Sequence, residues 1–158
     1  MNPHSEEIQE FFFNGMLNGY ASGVKAVAEP GLPGYKRTEY KEGDFYLLDR
    51  WVTTPLSDKS VGDTTIWHRD MPVWVMHYGG RYDKHVIPFL KRALHRTYKS
   101  RVFIGGRGLP VESVEESLQY INMPRCDDFS RFSGREEILN METAKILGWH
   151  VYWGMSLL

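Results

Sequence analysis

The chain has 158 residues, a formal net charge of −1 and a pI near 6.6, with 42% hydrophobic, 25% charged and 14% aromatic residues. These proportions belong to a packed globular chain and exclude a disordered or fibrous one. A near-neutral balance gives no global positive field for a phosphate backbone or an anionic lipid surface, so neither nucleic acid nor a membrane is an expected partner. The length suits one domain over residues 1–158.

Cys126 is the only cysteine, which leaves no internal disulfide, paired-cysteine zinc knuckle or CxxC redox site and points to a reducing compartment. Met1 to Glu10 is polar and acidic, unlike a signal peptide, and no apolar run reaches the roughly 18 residues of a membrane span. The expected location is cytoplasmic.

In chain order, Ser5 reads as an N-cap, and Ile8, Phe11, Phe12, Met16 and Tyr20 follow helical spacing. The run Ala28-Glu-Pro-Gly-Leu-Pro-Gly-Tyr35 stops any helix and predicts a loop or extended arm. From Tyr35 the period becomes two. After a Glu-Gly-Asp turn at 42 to 44, Phe45, Leu47 and Asp49 alternate with Tyr46, Leu48 and Arg50. Thr64-Thr-Ile-Trp-His68 and Pro72-Val-Trp-Val-Met-His-Tyr78 predict a hairpin turning at Arg69-Asp-Met71. Asp83 opens a second helix carried by Val86, Phe89, Leu90, Ala93, Leu94 and Tyr98, with Pro88 in its first turn. The basic stretch from Lys91 and Arg92 through His95, Arg96, Lys99 and Arg101 to Arg107 reads as a solvated helix face and loop. Ile104-Gly-Gly-Arg-Gly-Leu-Pro110 reads as a flexible loop that lacks the GK[ST] ending of a phosphate loop. Residues 116–123, a turn at 124–128, and residues 136–141 and 145–153 complete the strands.

The expected fold is therefore α+β, an antiparallel sheet of about six strands in two similar three-stranded halves, with two main helices packed on one face. Gly62-Asp-Thr-Thr-Ile66 aligns with Gly134-Arg-Glu-Glu-Ile138. With slippage, His77 falls against His150 and Gly80 against Gly154, which suggests an approximate internal repeat of residues 35–82 and 110–158.

Four stretches carry a family likeness: Glu42-Gly-Asp-Phe-Tyr-Leu-Leu-Asp49, Gly62 to Gly80 with its Pro-Val-Trp-Val-Met-His-Tyr-Gly-Gly ending, Phe89-Leu-Lys-Arg-Ala-Leu94 and Phe132-Ser-Gly-Arg-Glu-Glu-Ile138. They resemble an uncharacterised small α+β domain-of-unknown-function family, some members of which sit behind an Xre-type helix-turn-helix. The resemblance covers Phe11 to the C terminus and implies a fold and a regulatory context, with no activity and no catalytic residues. The chain departs from the pattern at Asn140-Met-Glu-Thr-Ala and at Trp153-Gly-Met.

Familiar catalytic motifs are missing. His68 and His77 could meet across the hairpin, but no HxH or HExxH spacing supports a metal, so neither metal nor cofactor is expected. Glu136 and Glu137 are adjacent and must point to opposite faces of a strand, where the simplest role is an edge charge that blocks aggregation. No G-x-S-x-G elbow is present, and Cys126 lies in a polar loop. What remains is aromatic. Tyr46, Trp67, Trp74, Tyr78 and Trp153, with His77, His150 and Glu136 as polar contacts, are the candidate lining of a pocket or surface for a small molecule or partner; the competing reading is that these rings, with Trp149 and Tyr152, interdigitate with Phe12, Phe89 and Leu90 as core. That non-enzymatic binding role is the leading expectation. One alternative is a small hydrolase or isomerase working through His77 and a carboxylate, and another is a homodimer in which the aromatic patch is the interface.

Overall fold

A computed structural model describes residues 3–158; Met1 and Asn2, the start of the polar N-terminal stretch, lie outside the described residues. The elements run α1 (Ser5–Leu17), β1 (Val27–Ala28), β2 (Tyr35–Glu42), β3 (Phe45–Thr53), β4 (Lys59–His68), β5 (Met71–Tyr82), α2 (Ile87–Lys99), β6 (Val111–Ser113), β7 (Leu118–Asp128), β8 (Arg131–Asn140) and β9 (Ile146–Ser156). Single 3-10 turns lie at Tyr20–Ser22 and Lys84–Val86. Among the described residues the strands form one antiparallel sheet of nine, ordered β1-β2-β3-β4-β5-β9-β8-β7-β6. Each helix is thus followed by an antiparallel meander, and the last strand of one meander pairs with the last strand of the other.

The sheet is larger than the six strands expected, for identifiable reasons. Strand β2 reads YKRTEYKE and buries only Thr38, so it has no apolar face for periodicity to detect. The two edges, β1 and β6, are two and three residues long, and such short edges offer little template for aggregation. The expected turn at 124–128 is instead strand. Strand β7 absorbs Pro124 with a bulge between Pro124 and Cys126, which accommodates the missing N–H. The β4–β5 hairpin turns as read, with Arg69 and Asp70 at φ of 48° and 66°, the left-handed pair of a type I′ turn.

Both helices bury most of the stripe that their spacing predicts, but Tyr20 falls beyond α1 in a 3-10 turn and is half-buried, and α2 begins at Ile87 rather than Asp83, with the buried Val86 in the 3-10 turn before it. Ile8, Phe11, Phe12 and Met16 of α1 and Phe89, Leu90, Ala93, Leu94 and Tyr98 of α2 are all buried. The cap of α1 is His4 rather than Ser5, and the Glu7 carboxylate accepts the His4 backbone N–H at 2.7 Å. Gly15 weakens α1 intrinsically, yet a Cβ there would lie 2.6 Å from Leu47 Cδ1, so glycine is what allows the helix to sit close on β3.

Strand alternation then sorts the sheet into two faces. Leu47, Asp49, Thr64, Ile66, Trp74, Met76, Glu136, Ile138, His150 and Tyr152 face the helices and are buried. On this inner face three tyrosines lie over glycines directly opposite them on the neighbouring strand: Tyr78 over Gly62, Tyr82 over Gly148 and Tyr152 over Gly134. A Cβ at any of these glycines would overlap the tyrosine. The bare glycine lets each ring lie flat across one strand, so that its hydroxyl reaches a polar side chain on the strand beyond. Those partners are Asp49, Glu136 and Asn122, each 2.6 Å away.

Candidate functional site

The inner face is closed over one meander and open over the other. Over β7–β9 the loop from Ile104 to Gly108 fills the space between sheet and helices. It is not the flexible solvent loop expected, because Gly105 to Gly108 are buried and the segment is fastened on every side. Asn122 Nδ2 donates to the carbonyls of Ile104 and Gly108 at 3.1 and 3.0 Å, Tyr98 Oη to that of Gly106 at 2.9 Å, and Gly108 N–H to Tyr120 Oη at 2.8 Å. Gly105 and Gly106 have φ of 64° and 70°, a backbone region that glycine enters without strain.

This loop carries Arg107 inward, which overturns its reading as part of a solvated basic stretch: it is only 5% exposed. Glu136, at 0% exposure, meets it with both carboxylate oxygens, Nε to Oε2 at 3.0 Å and Nη2 to Oε1, and also accepts the hydroxyls of Tyr82 and Tyr120. Burial by itself would raise the Glu136 carboxyl, but the charge and hydrogen bonds of Arg107, with the Tyr120 hydroxyl, together hold the group below the usual range. Glu136 is therefore not an edge charge. Strand β8 is interior to the sheet, and Glu137 points outward to Arg135 at 2.6 Å, on the opposite face as adjacency requires.

Over β3–β5 no loop intervenes, and a cavity of about 1020 Å³ occupies the corresponding space. Its deep wall holds Asp49, Tyr78, Tyr82, Arg107 and His150 with Ser60 beside it, its sides Tyr20, Trp51, Leu90, Leu94 and Tyr98, and its mouth Thr53 to Pro55, Ser57, Asp58 and several lysines. Asp49 Oδ1 accepts both Tyr78 Oη at 2.6 Å and Thr64 Oγ1 at 2.9 Å, while its Oδ2 has no protein partner among the described residues. Burial pushes the Asp49 carboxyl above its ordinary value, against the hydrogen bonds from Tyr78 and Thr64 that pull it down. His150 is packed between Tyr78 and Tyr82, with ring centroids 5.7 and 4.7 Å away. Its Nε2 is 3.5 Å from Ser60 Oγ, and its buried Nδ1 has no hydrogen-bond partner among the described residues, with Glu136 Oε1 3.8 Å away. Burial, reinforced by Arg107, lowers His150 to about 4, so the imidazole is neutral at physiological pH.

The raised Asp49 makes a pH-resolved prediction. Its folded-state pKa lies above the unfolded value, so its ionised form weakens the fold as pH rises through that interval. Asp49→Asn keeps an acceptor for Tyr78 and Thr64 and removes the charge. In urea titrations the variant should exceed the parent in stability at about pH 7 and match it at about pH 3, below both pKa values. A stability difference that stays constant across this range would show that the Asp49 carboxyl is not raised.

The eight residues expected to form one aromatic site are divided by the sheet. Tyr78 and His150 line the cavity, and Glu136 stands directly behind it through Arg107. Trp74 is core, stacked on Phe129 and Phe132 with centroids 5.3 Å away in both cases. The other four face outward as two cross-strand stacks, Tyr46 on Trp67 at 5.3 Å and His77 on Trp153 at 4.7 Å. His77 and His150 consequently lie on opposite faces and cannot serve one site, nor does His77 reach the inner carboxylates. His68 is an inner residue, so it does not meet His77 across the hairpin either. Among the described residues no cluster of three His, Cys, Asp or Glu side chains could hold a metal ion, and no helix is long and apolar enough to cross a membrane.

Sequence reasoning passed over Asp49, Arg107, Tyr82 and Ser60 as site residues. Asp49 did leave a signal, since it sits in phase with Phe45 and Leu47, and a carboxylate in step with an apolar face must be buried with partners. Arg107 left only its flanking glycines.

A match to a family is confined to the strand-rich body: residues 57–155 fit the description Domain of unknown function (DUF5680). The chain belongs to this family. The matched DUF5680 segment includes β5, β8 and β9 with Tyr78, Glu136 and His150, whereas Asp49 and Trp51 precede it. No curated protein and no solved structure matches the chain.

Proposed function

We propose that this DUF5680 protein binds a small organic molecule in the cavity over β3–β5, with Asp49, Tyr78, His150 and Ser60 as its polar contacts. The observation that carries this reading is the contrast between the two meanders. Over β7–β9, the relay Tyr152–Gly134–Asn122 is completed by loop carbonyls that accept from Asn122. Over β3–β5, the relay Tyr78–Gly62–Asp49 has the same strand-by-strand form, but Asp49 Oδ2 has no protein partner among the described residues and borders the cavity, with His150 Nε2 beside Ser60 on the same lining. Buried polar groups carry a desolvation cost unless they are paired, and a donor on a ligand bound in the cavity would supply that pairing to Asp49. The volume also matches that of ligand sites, which run from roughly 300 to 1,000 Å³. Asp49 selects a hydroxyl or N–H donor where Asn122 selects carbonyls.

The same correspondence supports an approximate repeat of residues 35–82 and 110–158, with Tyr78 rather than His77 matched to the second half, at Tyr152. The ligand-binding site then lies in the half that has kept its space open.

The reading is tested by a thermal-shift screen of hydroxylated and amine-bearing aromatic compounds against the parent and Ser60→Trp. Ser60 is partly exposed on the wall beside His150, so an indole there fills the polar end without disturbing the core. A compound present at a hundred times its Kd should stabilise the parent by about 2.7 kcal/mol and leave Ser60→Trp unmoved. Equal shifts in both proteins would place binding elsewhere and reject the cavity as the site.

A further inference from the structure

The mouth of the cavity has a charge character that the composition hides. Resting on the cavity reading above, we infer that the ligand is an organic anion, held with its acidic group among the lysines at the mouth and its apolar or aromatic body against Trp51, Leu90 and Tyr98. Five of the eight lysines in the sequence, Lys25, Lys36, Lys59, Lys84 and Lys91, line this one cavity, in a chain whose net charge is −1. Against them the lining sets only Asp58 at the mouth and the buried Asp49. None of the five has an ion-pair partner among the described residues, although the arginines are extensively paired. Lys91 lies over the Tyr20 ring, 4.4 Å from its centroid, and so is directed toward the aromatic side of the cavity. Arg107 adds a donor from inside, although its charge is balanced by Glu136. Its Nε and Nη2 are committed to Glu136, but its Nη1 has no partner among the described residues, in a side chain that lines the cavity.

Like charges gathered in excess of their counter-charges repel one another, and the repulsion is relieved when an anion enters. A cleft with low-dielectric walls also concentrates the field of its rim charges and raises the local concentration of an anionic ligand. The aromatic and aliphatic sides exclude a bare inorganic anion as the preferred occupant, because they would be left wet. A neutral apolar ligand would fill the sides and leave the lysines unanswered.

Two fluorescent probes with the same ring system separate charge from shape: anilinonaphthalene sulfonate, which is anionic, and N-phenylnaphthylamine, which is neutral. Titrated into the full chain at low ionic strength, the sulfonate should bind about tenfold more tightly than the amine, and added salt should erode that advantage. In Lys25→Gln/Lys59→Gln/Lys84→Gln the advantage should vanish while the affinity for the amine is unchanged. All three lysines are exposed, so the variant should keep the parent's unfolding midpoint. Equal binding of both probes to the parent, or an advantage that survives in the triple variant, overturns the anion inference and leaves the cavity reading standing. Failure of both probes to bind the parent, or undiminished binding of both to Ser60→Trp, overturns the cavity reading and the anion inference together.

Discussion

Replacing Glu136 with glutamine should cost about 3–5 kcal/mol of folding stability, the range expected when one partner of a buried ion pair is removed and the other stays charged in the interior. Glu136 is fully buried and accepts from Arg107 through two nitrogens and from the hydroxyls of Tyr82 and Tyr120, so the amide can replace only part of the set. Arg107 cannot shed its proton and has no second carboxylate in contact, so its charge would remain uncompensated. The double variant Arg107→Gln/Glu136→Gln removes both charges and retains hydrogen-bonding groups, and it should recover a substantial part of the loss. Chemical denaturation of the four proteins in a double-mutant cycle gives the coupling directly. A Glu136→Gln cost below about 1 kcal/mol, the level of an exposed pair, would mean that Arg107 reaches water and that the loop does not seal this half of the sheet. The pH dependence has a definite sign. The folded carboxyl of Glu136 lies below its unfolded value, so its contribution is present above the ordinary glutamate pKa and is lost as pH falls through the folded one. Glu136→Gln should therefore lose less stability than the parent on acidification.

Trp74→Ala should be of similar size, about 3–5 kcal/mol, with little effect on ligand binding. Trp74 has 0% exposure, stacks between Phe129 and Phe132, packs on Phe12 with centroids 5.0 Å apart, and donates its indole N–H to the Phe129 carbonyl at 3.1 Å. Truncation leaves a ring-sized void among rigid aromatic neighbours that cannot collapse to fill it, and it strands a buried carbonyl. Trp74→Phe should cost less, because most of the contact area remains. Denaturation midpoints measure the first effect, and probe titration under conditions where the variant is folded measures the second. A Trp74→Ala protein that keeps its stability but loses probe affinity would return Trp74 to the binding site and shift the cavity assignment away from β3–β5.

Trp74 shows how far strand periodicity reaches. The alternation of Pro72 to Tyr78 makes it plain that Trp74, Met76 and Tyr78 share one face and His77 the other, and the structure has that arrangement. It does not say which aromatic positions in different strands belong together. Tyr46 and Trp67 meet because β3 and β4 pair in a register that sets them opposite each other, and His77 meets Trp153 because β5 pairs with β9, a contact between residues 76 apart in sequence. A two-residue change in either register would keep the faces and pair other residues, and no local signal forbids it. The eight aromatic and polar candidates were consequently grouped by composition and then divided by topology.

The helices, their buried stripes, the Arg69–Asp70 turn and the antiparallel α+β class followed from local rules: apolar spacing, the conformational range of the backbone and the burial of large side chains. Partnerships across long sequence distances did not. Arg107 looked like the end of a basic surface stretch until the fold placed Glu136, 29 residues later, directly against it. The cavity likewise depends on tertiary structure, since it is the space that the glycine-rich loop fills over β7–β9 and leaves open over β3–β5. The five lysines that line it are spread from Lys25 to Lys91 with no local clustering in a near-neutral chain. Only folding gathers them around one opening, because charge density is a property of the surface on which residues are placed rather than of their order along the chain.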